Sequence, residues 1–347
     1  MPKYCIADYH VGSAATNRGD QAIDQAFREE MAARLAGDLE FYDLPWGRVL
    51  EGDTLRRINE ADLLVFNGSG LYAYTPFPDI SAVAVPCISL AIGCNRNLYG
   101  PDDRPVHFLS DVRADEIRRF HGKLARASVR DHATLTALES AGIGGACYCP
   151  DLALFLEAAK SPVTRFPGAV HLGLNLANHG GSTGRILQHI LPVVVGVLKK
   201  WQSTRDTRIH YFMHESGESA VVHHLSSAGL DVRPLDLPPR QLVDAYGAMD
   251  LVLCEMMHAC ILCFNSSTPF VNIAYDVKNY AFMSDVGLSE FTLAGFSLNY
   301  ENLQAKLERV FEQKDALRSS NIAKKETLRA INRSFVDNAV ACLPRKR

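Results

Sequence analysis

The feature that most constrains this chain is an alternation of short apolar segments with amphipathic helical ones. "YCIADY" (residues 4–9), "DLLVFNGSG" (62–70), "PCISLAIG" (86–93) and "ASVRD" (127–131) read as strands, and residues 21–35 set Ile23, Phe27, Met31 and Leu35 on one helical face. Strands this uniformly apolar are covered on both faces, which is the condition of a parallel sheet flanked by helices. Residues 132–141 predict a helix ended by Gly142. The alternation breaks at "EAAKSPVTRFPG" (157–168), which has two prolines and no periodicity and therefore reads as a linker. It then resumes, with strands at 169–176, 208–214, 231–235, 250–255 and 268–275 and helices at 186–201, 219–228 and 239–248. The last fifty residues read as helical, with Leu303, Leu307, Val310 and Phe311 on one face. A chain of 347 residues exceeds one typical core. The expectation is α/β: two Rossmann-like doubly wound domains, 1–160 and 168–300, followed by helices over 301–347. Ligands of such sheets lie beyond the carboxyl ends of strands, so the strand-to-helix junctions carry the candidates.

Composition narrows the function. With 47% hydrophobic and 22% charged residues the chain has the make-up of a globular enzyme. A formal charge of −3 provides no field for nucleic acid. The start, "MPKYCIADYH", has no secretory pattern, and no apolar run reaches the roughly 18 residues of a membrane span. Nine cysteines, an odd number, lie mostly in apolar runs (Cys5, Cys87, Cys254, Cys260, Cys263), which implies reduced thiols and a cytoplasmic setting. Cys147 and Cys149 lack a second pair at metal-site spacing, and no acidic cluster demands a divalent ion, so no metal is expected. The terminal "LPRKR" reads as a solvated tail rather than a membrane-surface anchor.

Six junctions hold the candidate residues. In "TNRGDQAI" (16–23), Asn17 to Asp20 form a turn through Gly19, with Asp20 suited to cap the helix; free N–H groups and Arg18 could hold an anion, or the stretch is a capped helix start alone. Gly68, Ser69 and Gly70 allow backbone amides to approach a ligand, or form a plain turn; their spacing matches neither a dinucleotide fingerprint nor a P-loop. Arg130 stands where a guanidinium could clamp a carboxylate or phosphate, while Asp131 caps the next helix or pairs with Arg130. His214 and Glu215 end another strand, either at a ligand or in a capping turn with an exposed histidine. "EMMHA" puts His258 in the first turn of a helix, where the dipole lowers its pKa and Glu255 would raise it. That suits a general acid poised near neutrality, and equally a core histidine bonded to a carbonyl. Tyr275, Asp276 and Lys278 follow a buried strand; Lys278 offers a charge to an anion, and Asp276 caps a helix or accepts from a sugar hydroxyl.

The ordered set "NRGDQAI", "NGSGLY", "SVRDHATLTAL", "PDLAL", "DLVLCEMMHA" and "TPFVNIAYDVKN" resembles the polysaccharide pyruvyl transferases, from about residue 5 to about residue 290. The resemblance implies a fold similar to GT-B glycosyltransferases. It also implies transfer of an enolpyruvyl unit from phosphoenolpyruvate to a sugar or glycan, closing a pyruvate ketal on two hydroxyls, with no cofactor. His258 matches the family's histidine, but Met256 stands where the family has arginine and Met257 where it has leucine. "NGSG" departs from the usual Gly-Gly-Gly, and "LGLNLANHGG" lacks an arginine often found there. By this resemblance His258 is the general acid, oriented by Glu255, and Arg130 and Lys278 hold phosphate or carboxylate. Asp20 and Asp276 position sugar hydroxyls or cap helices, and Arg18 or His214 could supplement the missing charge. Met256 keeps two alternatives open: a GT-B-type transferase with a nucleotide sugar or other donor, and a catalytically degenerate glycan-binding member.

Overall fold

The computed structural model describes residues 4–10, 17–35, 39–73, 77–98, 100, 103, 109–178 and 181–344, the side chains of 181–183 excepted; the last three residues of the basic tail lie outside this set. The first sheet holds β1 (Tyr4–His10), β2 (Leu39–Pro45), β3 (Leu63–Asn67), β4 (Cys87–Ile92), β5 (Arg126–Val129) and β6 (Ala146–Tyr148), in the order β2-β1-β3-β4-β5-β6. The second holds β7 (Val170–Asn175), β8 (Thr207–Phe212), β9 (Val232–Leu235), β10 (Leu251–Cys254), β11 (Phe270–Ala274) and β12 (Thr292–Ala294), in the order β12-β11-β10-β7-β8-β9. Every pairing is parallel. The helices are α1 (Arg18–Arg34), α2 (Gly52–Glu60), α3 (Asp111–His121), α4 (His132–Ser140), α5 (Gly181–Thr204), α6 (Ser219–Ser227), α7 (Pro239–Gly247), α8 (Met257–Asn265), α9 (Val277–Asp285), α10 (Tyr300–Glu312) and α11 (Lys314–Val340).

The inner strands are the apolar runs of the sequence: β3, β4, β10 and β11 are buried at every residue. The alternation does not announce β2, β6 and β12. β2 is largely half-exposed, and β6 and β12 have three residues each, so none of them carries an apolar run. All three lie at sheet edges.

One buried cluster spans both sheets, and a second belongs to the first sheet. Ile23, Phe27 and Met31 of α1 belong to the same buried cluster as Leu152–Phe155 and the apolar face of α8. The C-terminal helix ties the halves further: Arg34 pairs with Asp337 at 2.6 Å, and Arg329 Nε donates to the Leu154 carbonyl at 2.7 Å. All nine cysteines are free thiols.

Candidate active site

Strand order reverses between β1 and β3 in the first sheet and between β7 and β10 in the second. At such switch points successive connections leave to opposite sides and open a crevice beyond the carboxyl ends. The two crevices meet. The Arg18 N–H donates to the His214 carbonyl at 2.9 Å, Leu98 N–H to the Tyr275 carbonyl at 2.9 Å, and Val277 N–H to the Arg96 carbonyl at 3.0 Å. Asn17 Nδ2 donates to Glu215 Oε1 at 2.6 Å. Junctions far apart in sequence thus form one wall.

His258 lies in the first turn of α8, against the first turn of α1. A Cβ at position 19 would overlap its ring, so the imidazole can lie there only because residue 19 is glycine. The His258 side chain is 11% exposed, with Nε2 3.8 Å from Asp151 Oδ2. Neither atom has a hydrogen-bond partner among the described residues. Burial drives the imidazole well below the usual histidine range, and the fields of Arg130, Lys278 and His214 push the same way. Burial raises Asp151, opposed by its bond from the Ala153 N–H.

Glu255 is not the partner of His258. Its Oε2 accepts from the Ala177 N–H at 2.8 Å, and its carbonyl accepts from Asn279 Nδ2 at 2.9 Å. This carboxyl braces β10 against the turn after β7, and burial pushes it up to about 8. Asp151, at the start of "DLAL", is the acid facing the imidazole; the sequence signal for it was only a capping position after a proline.

The cations come from two junctions, one in each half. Arg130, buried after β5, donates through Nη2 to Asn95 Oδ1 at 2.8 Å and to the Cys94 carbonyl at 3.2 Å, and its Nε lies 3.5 Å from Asp131 Oδ2. Asp131 caps α4 through the Thr134 N–H at 2.7 Å. Asn95 in turn rests on the "NGSG" turn, because a Cβ at Gly70 would overlap its amide. Ser69 takes φ +67°, and its carbonyl accepts from the Gly93 N–H at 2.7 Å. Gly68, Ser69 and Gly70 therefore shape the loop that positions Arg130. Lys278 is half-buried, 5.4 Å from the centre of the Tyr275 ring, and burial lowers its pKa against the pull of Asp276.

Four other junction residues take roles of their own. Asn17, not Asp20, caps α1: its Oδ1 accepts from the N–H groups of Gly19 at 2.8 Å and Asp20 at 3.3 Å. Asp20 lies inside the first turn with its carboxyl among Lys278, Asp151, Glu215 and Arg130; burial pushes it up to about 6, with Lys278 opposing. Arg18 reaches across to Asp236 at 2.8 Å and is spent on an interdomain ion pair. Asp276 caps α9 through the Lys278 N–H at 2.8 Å and also accepts from the Arg96 N–H at 3.2 Å, so its carboxylate holds the domains together.

Behind His258 the chemistry changes. Met256 and Met257 are buried, and Met256 Sδ lies 3.8 Å from Asn175 Nδ2. That amide donates to the Phe212 carbonyl at 2.9 Å and reaches Glu218 Oε2 at 3.3 Å. Glu218 also accepts from the His214 N–H at 2.9 Å, and burial pushes its carboxyl up to about 8. His214 is fully buried rather than exposed, with Nε2 2.9 Å from the Tyr246 hydroxyl. Asn175 and Glu218 were not apparent as site residues in the sequence: one ends a strand, the other precedes a helix without capping it.

A family model described as polysaccharide pyruvyl transferase matches residues 17–277. No curated protein matches the chain. Among solved structures, a putative UDP-N-acetylglucosamine 2-epimerase from Listeria monocytogenes superposes with a TM-score of 0.59 at 12% identity, covering 92% of this chain and 91% of that one. A UDP-forming α,α-trehalose-phosphate synthase from Burkholderia vietnamiensis gives 0.57 at 10% identity, covering 99% and 98%. Anabaena HepE, in complex with UDP and glucose, gives 0.56 at 13% identity, covering 96% and 99%. These likenesses show the fold, two Rossmann-like halves of GT-B type. Among the described residues no helix is long and apolar enough to cross a membrane.

Proposed function

Because the chain belongs to the polysaccharide pyruvyl transferases, we propose that it moves an enolpyruvyl group from phosphoenolpyruvate to a sugar or glycan and closes a pyruvate ketal. The observation that carries this reading is the imidazole of His258, seated on Gly19 with Arg130 and Lys278 acting on it. Two first helical turns, of α1 and α8, meet there, and both present their positive ends. With two cations alongside, the place suits an anion.

The cations also set the order of events. In the free site burial first, and these cations after it, hold the His258 imidazole well below the usual histidine range. A donor carrying phosphate and carboxylate offsets them, and the imidazole then takes up a proton. His258 gives that proton to the donor's methylene carbon while an acceptor hydroxyl attacks the adjacent carbon. Phosphate departs and the second hydroxyl adds to the same carbon. One hydroxyl proton returns to His258 and the other leaves with phosphate. Arg130 and Lys278 hold the anionic groups, and Asp151 orients the ring. Asp20, its carboxyl pushed by burial up to about 6, meets a sugar hydroxyl. Acid–base help of this kind contributes about 10²–10⁴-fold, with electrostatic positioning supplying much of the rest.

Met256 favours a second reading, in which the same fold takes a nucleotide sugar. The structural neighbours named for UDP share the architecture. A third reading, a glycan-binding member without turnover, has the same origin. A thermal-shift panel separates them. Stabilisation by phosphoenolpyruvate and not by UDP or UDP-sugars supports the pyruvyl reading; the reverse result excludes it. Transfer by neither class of donor, with glycan still bound, leaves the third.

A further inference from the structure

Away from the cleft, β1 and α1 bring together three potential ligand atoms that no step above uses. Alternation along β1 sets Asp8 and His10 on the face beneath α1, and Asp24 meets them from the helix. One donor atom from each of Asp8, His10 and Asp24 lies within 4.8 Å of the others. Asp8 and His10 are 0% and 2% exposed, and Asp8 Oδ1 and His10 Nδ1 have no hydrogen-bond partner among the described residues. His10 Nδ1 is 3.6 Å from Asp24 Oδ1, too far for a hydrogen bond.

These groups also have outer partners, and Asp24 Oδ1 is shared between the cluster and Arg28. His10 Nε2 lies 3.1 Å from Asp43 Oδ1, on the neighbouring strand where Asp43 stands directly opposite Asp8. Arg28 spans the rest: its Nε donates to Asp24 Oδ1 at 2.8 Å, and its Nη2 reaches Asp8 Oδ2 at 3.3 Å, Asp43 Oδ1, and His10 Nε2 at 3.4 Å. With the His10 Nε2–H given to Asp43, Nδ1 turns a lone pair toward two carboxylates. Asp8, Asp24 and Asp43 face a single guanidinium, and burial together with the neighbouring Asp24 pushes the Asp8 carboxyl well above the usual carboxylate range. Converging lone pairs repel unless a cation or a shared proton lies between them, and a histidine whose far N–H is held by a carboxylate is the usual form of a metal ligand.

We propose that Asp8, His10 and Asp24 form a binding site for a first-row divalent cation of the Mn²⁺ or Zn²⁺ class, with Asp43 and Arg28 as its outer support. One imidazole nitrogen with two carboxylates suits these ions better than Ca²⁺ or Mg²⁺, which prefer oxygen alone. Mn²⁺ is the cleaner probe because the nine thiols compete less for it.

The test is titration of the full chain with Mn²⁺ alone, followed by loss of the free-ion electron paramagnetic resonance signal and by calorimetry. The site predicts one ion bound per chain. Asp8→Asn and Asp24→Asn each weaken it by more than tenfold, and Asp43→Asn weakens it about tenfold, the usual effect of removing an outer partner. Circular dichroism checks that the variants fold. Should Asp8→Asn not fold, Asp24→Asn carries the decision. A wild-type titration without stoichiometric binding at millimolar Mn²⁺ overturns the proposal, as does binding that Asp24→Asn leaves unchanged.

Discussion

The two sides of His258 differ in how they keep charge. On the side toward α1, Asp20, Asp151, Arg130 and Lys278 mix signs across the domain boundary. Behind the start of α8, Glu218 and Glu255 have only amide donors among the described residues, beside Met256, and burial pushes both to about 8. Carboxyls in the first set lie beside cations; burial makes those in the second hold their protons more tightly than usual. The contrast shows what a guanidinium at position 256 would do: it would supply the counter-charge that Glu218 lacks and add a positive group beside the imidazole.

The largest effect is expected at the contact that seats the ring. Gly19→Ala should reduce transfer almost as much as His258→Ala, each by about 10²–10⁴-fold. A methyl at 19 overlaps the imidazole. Activity assays paired with melting curves check this. An active, well-folded Gly19→Ala enzyme would remove His258 from the chemistry.

Met256→Arg comes next and probes the neutral side. The new guanidinium should pair with Glu218, lower its pKa below about 8, and tighten phosphoenolpyruvate binding on the order of tenfold. Calorimetry reads this directly. Unchanged phosphoenolpyruvate binding together with weakened UDP-sugar binding would point to the other donor class.

Glu255→Gln tests the buried acids through stability. The folded-state pKa of about 8 lies above the usual glutamate value of 4.5, so the native state binds the extra proton between those limits. Stability therefore falls as pH rises from about 4.5 toward 8, and the amide removes that slope. The recovered stability at pH 8 should be a few kcal/mol at most, since each tenfold difference in proton affinity between the folded and unfolded chain is worth about 1.4 kcal/mol. Urea unfolding at pH 5, 6.5 and 8 measures it.

Asp276→Ala should be the smallest effect. Losing the α9 cap costs about 1 kcal/mol. The lost bond from the Arg96 N–H adds an interdomain component, visible as faster hydrogen exchange in residues 94–98.

The architecture was legible because the inner strands must be apolar on both faces. Residues 250–255 and 268–275 read as strands, and β10 and β11 lie within them. The cap at Asp131 was legible for a similar local reason. Of the edge strands, β9 lies within the segment read at 231–235, but β2, β6 and β12 were not legible, β2 because it carries Glu40 and Asp43 on a half-exposed ribbon. Partnerships across the cleft were least legible. Glu255 precedes His258 by three residues, yet the acid facing the imidazole is Asp151, delivered from the other half by the fold. Asn17 and Asp20 are both good capping residues, and only the backbone decides that the helix starts at Arg18. The cluster of Asp8, His10 and Asp24 is likewise a product of packing, because Asp24 joins the other two only once α1 lies on β1.

Calorimetric titration of phosphoenolpyruvate into the wild-type chain and into Arg130→Gln, each repeated with UDP, tests the central claim most directly. The account predicts saturable phosphoenolpyruvate binding that Arg130→Gln weakens at least tenfold, and no competition from UDP. Binding of UDP with none of phosphoenolpyruvate, or phosphoenolpyruvate binding untouched by the loss of the guanidinium, would contradict it.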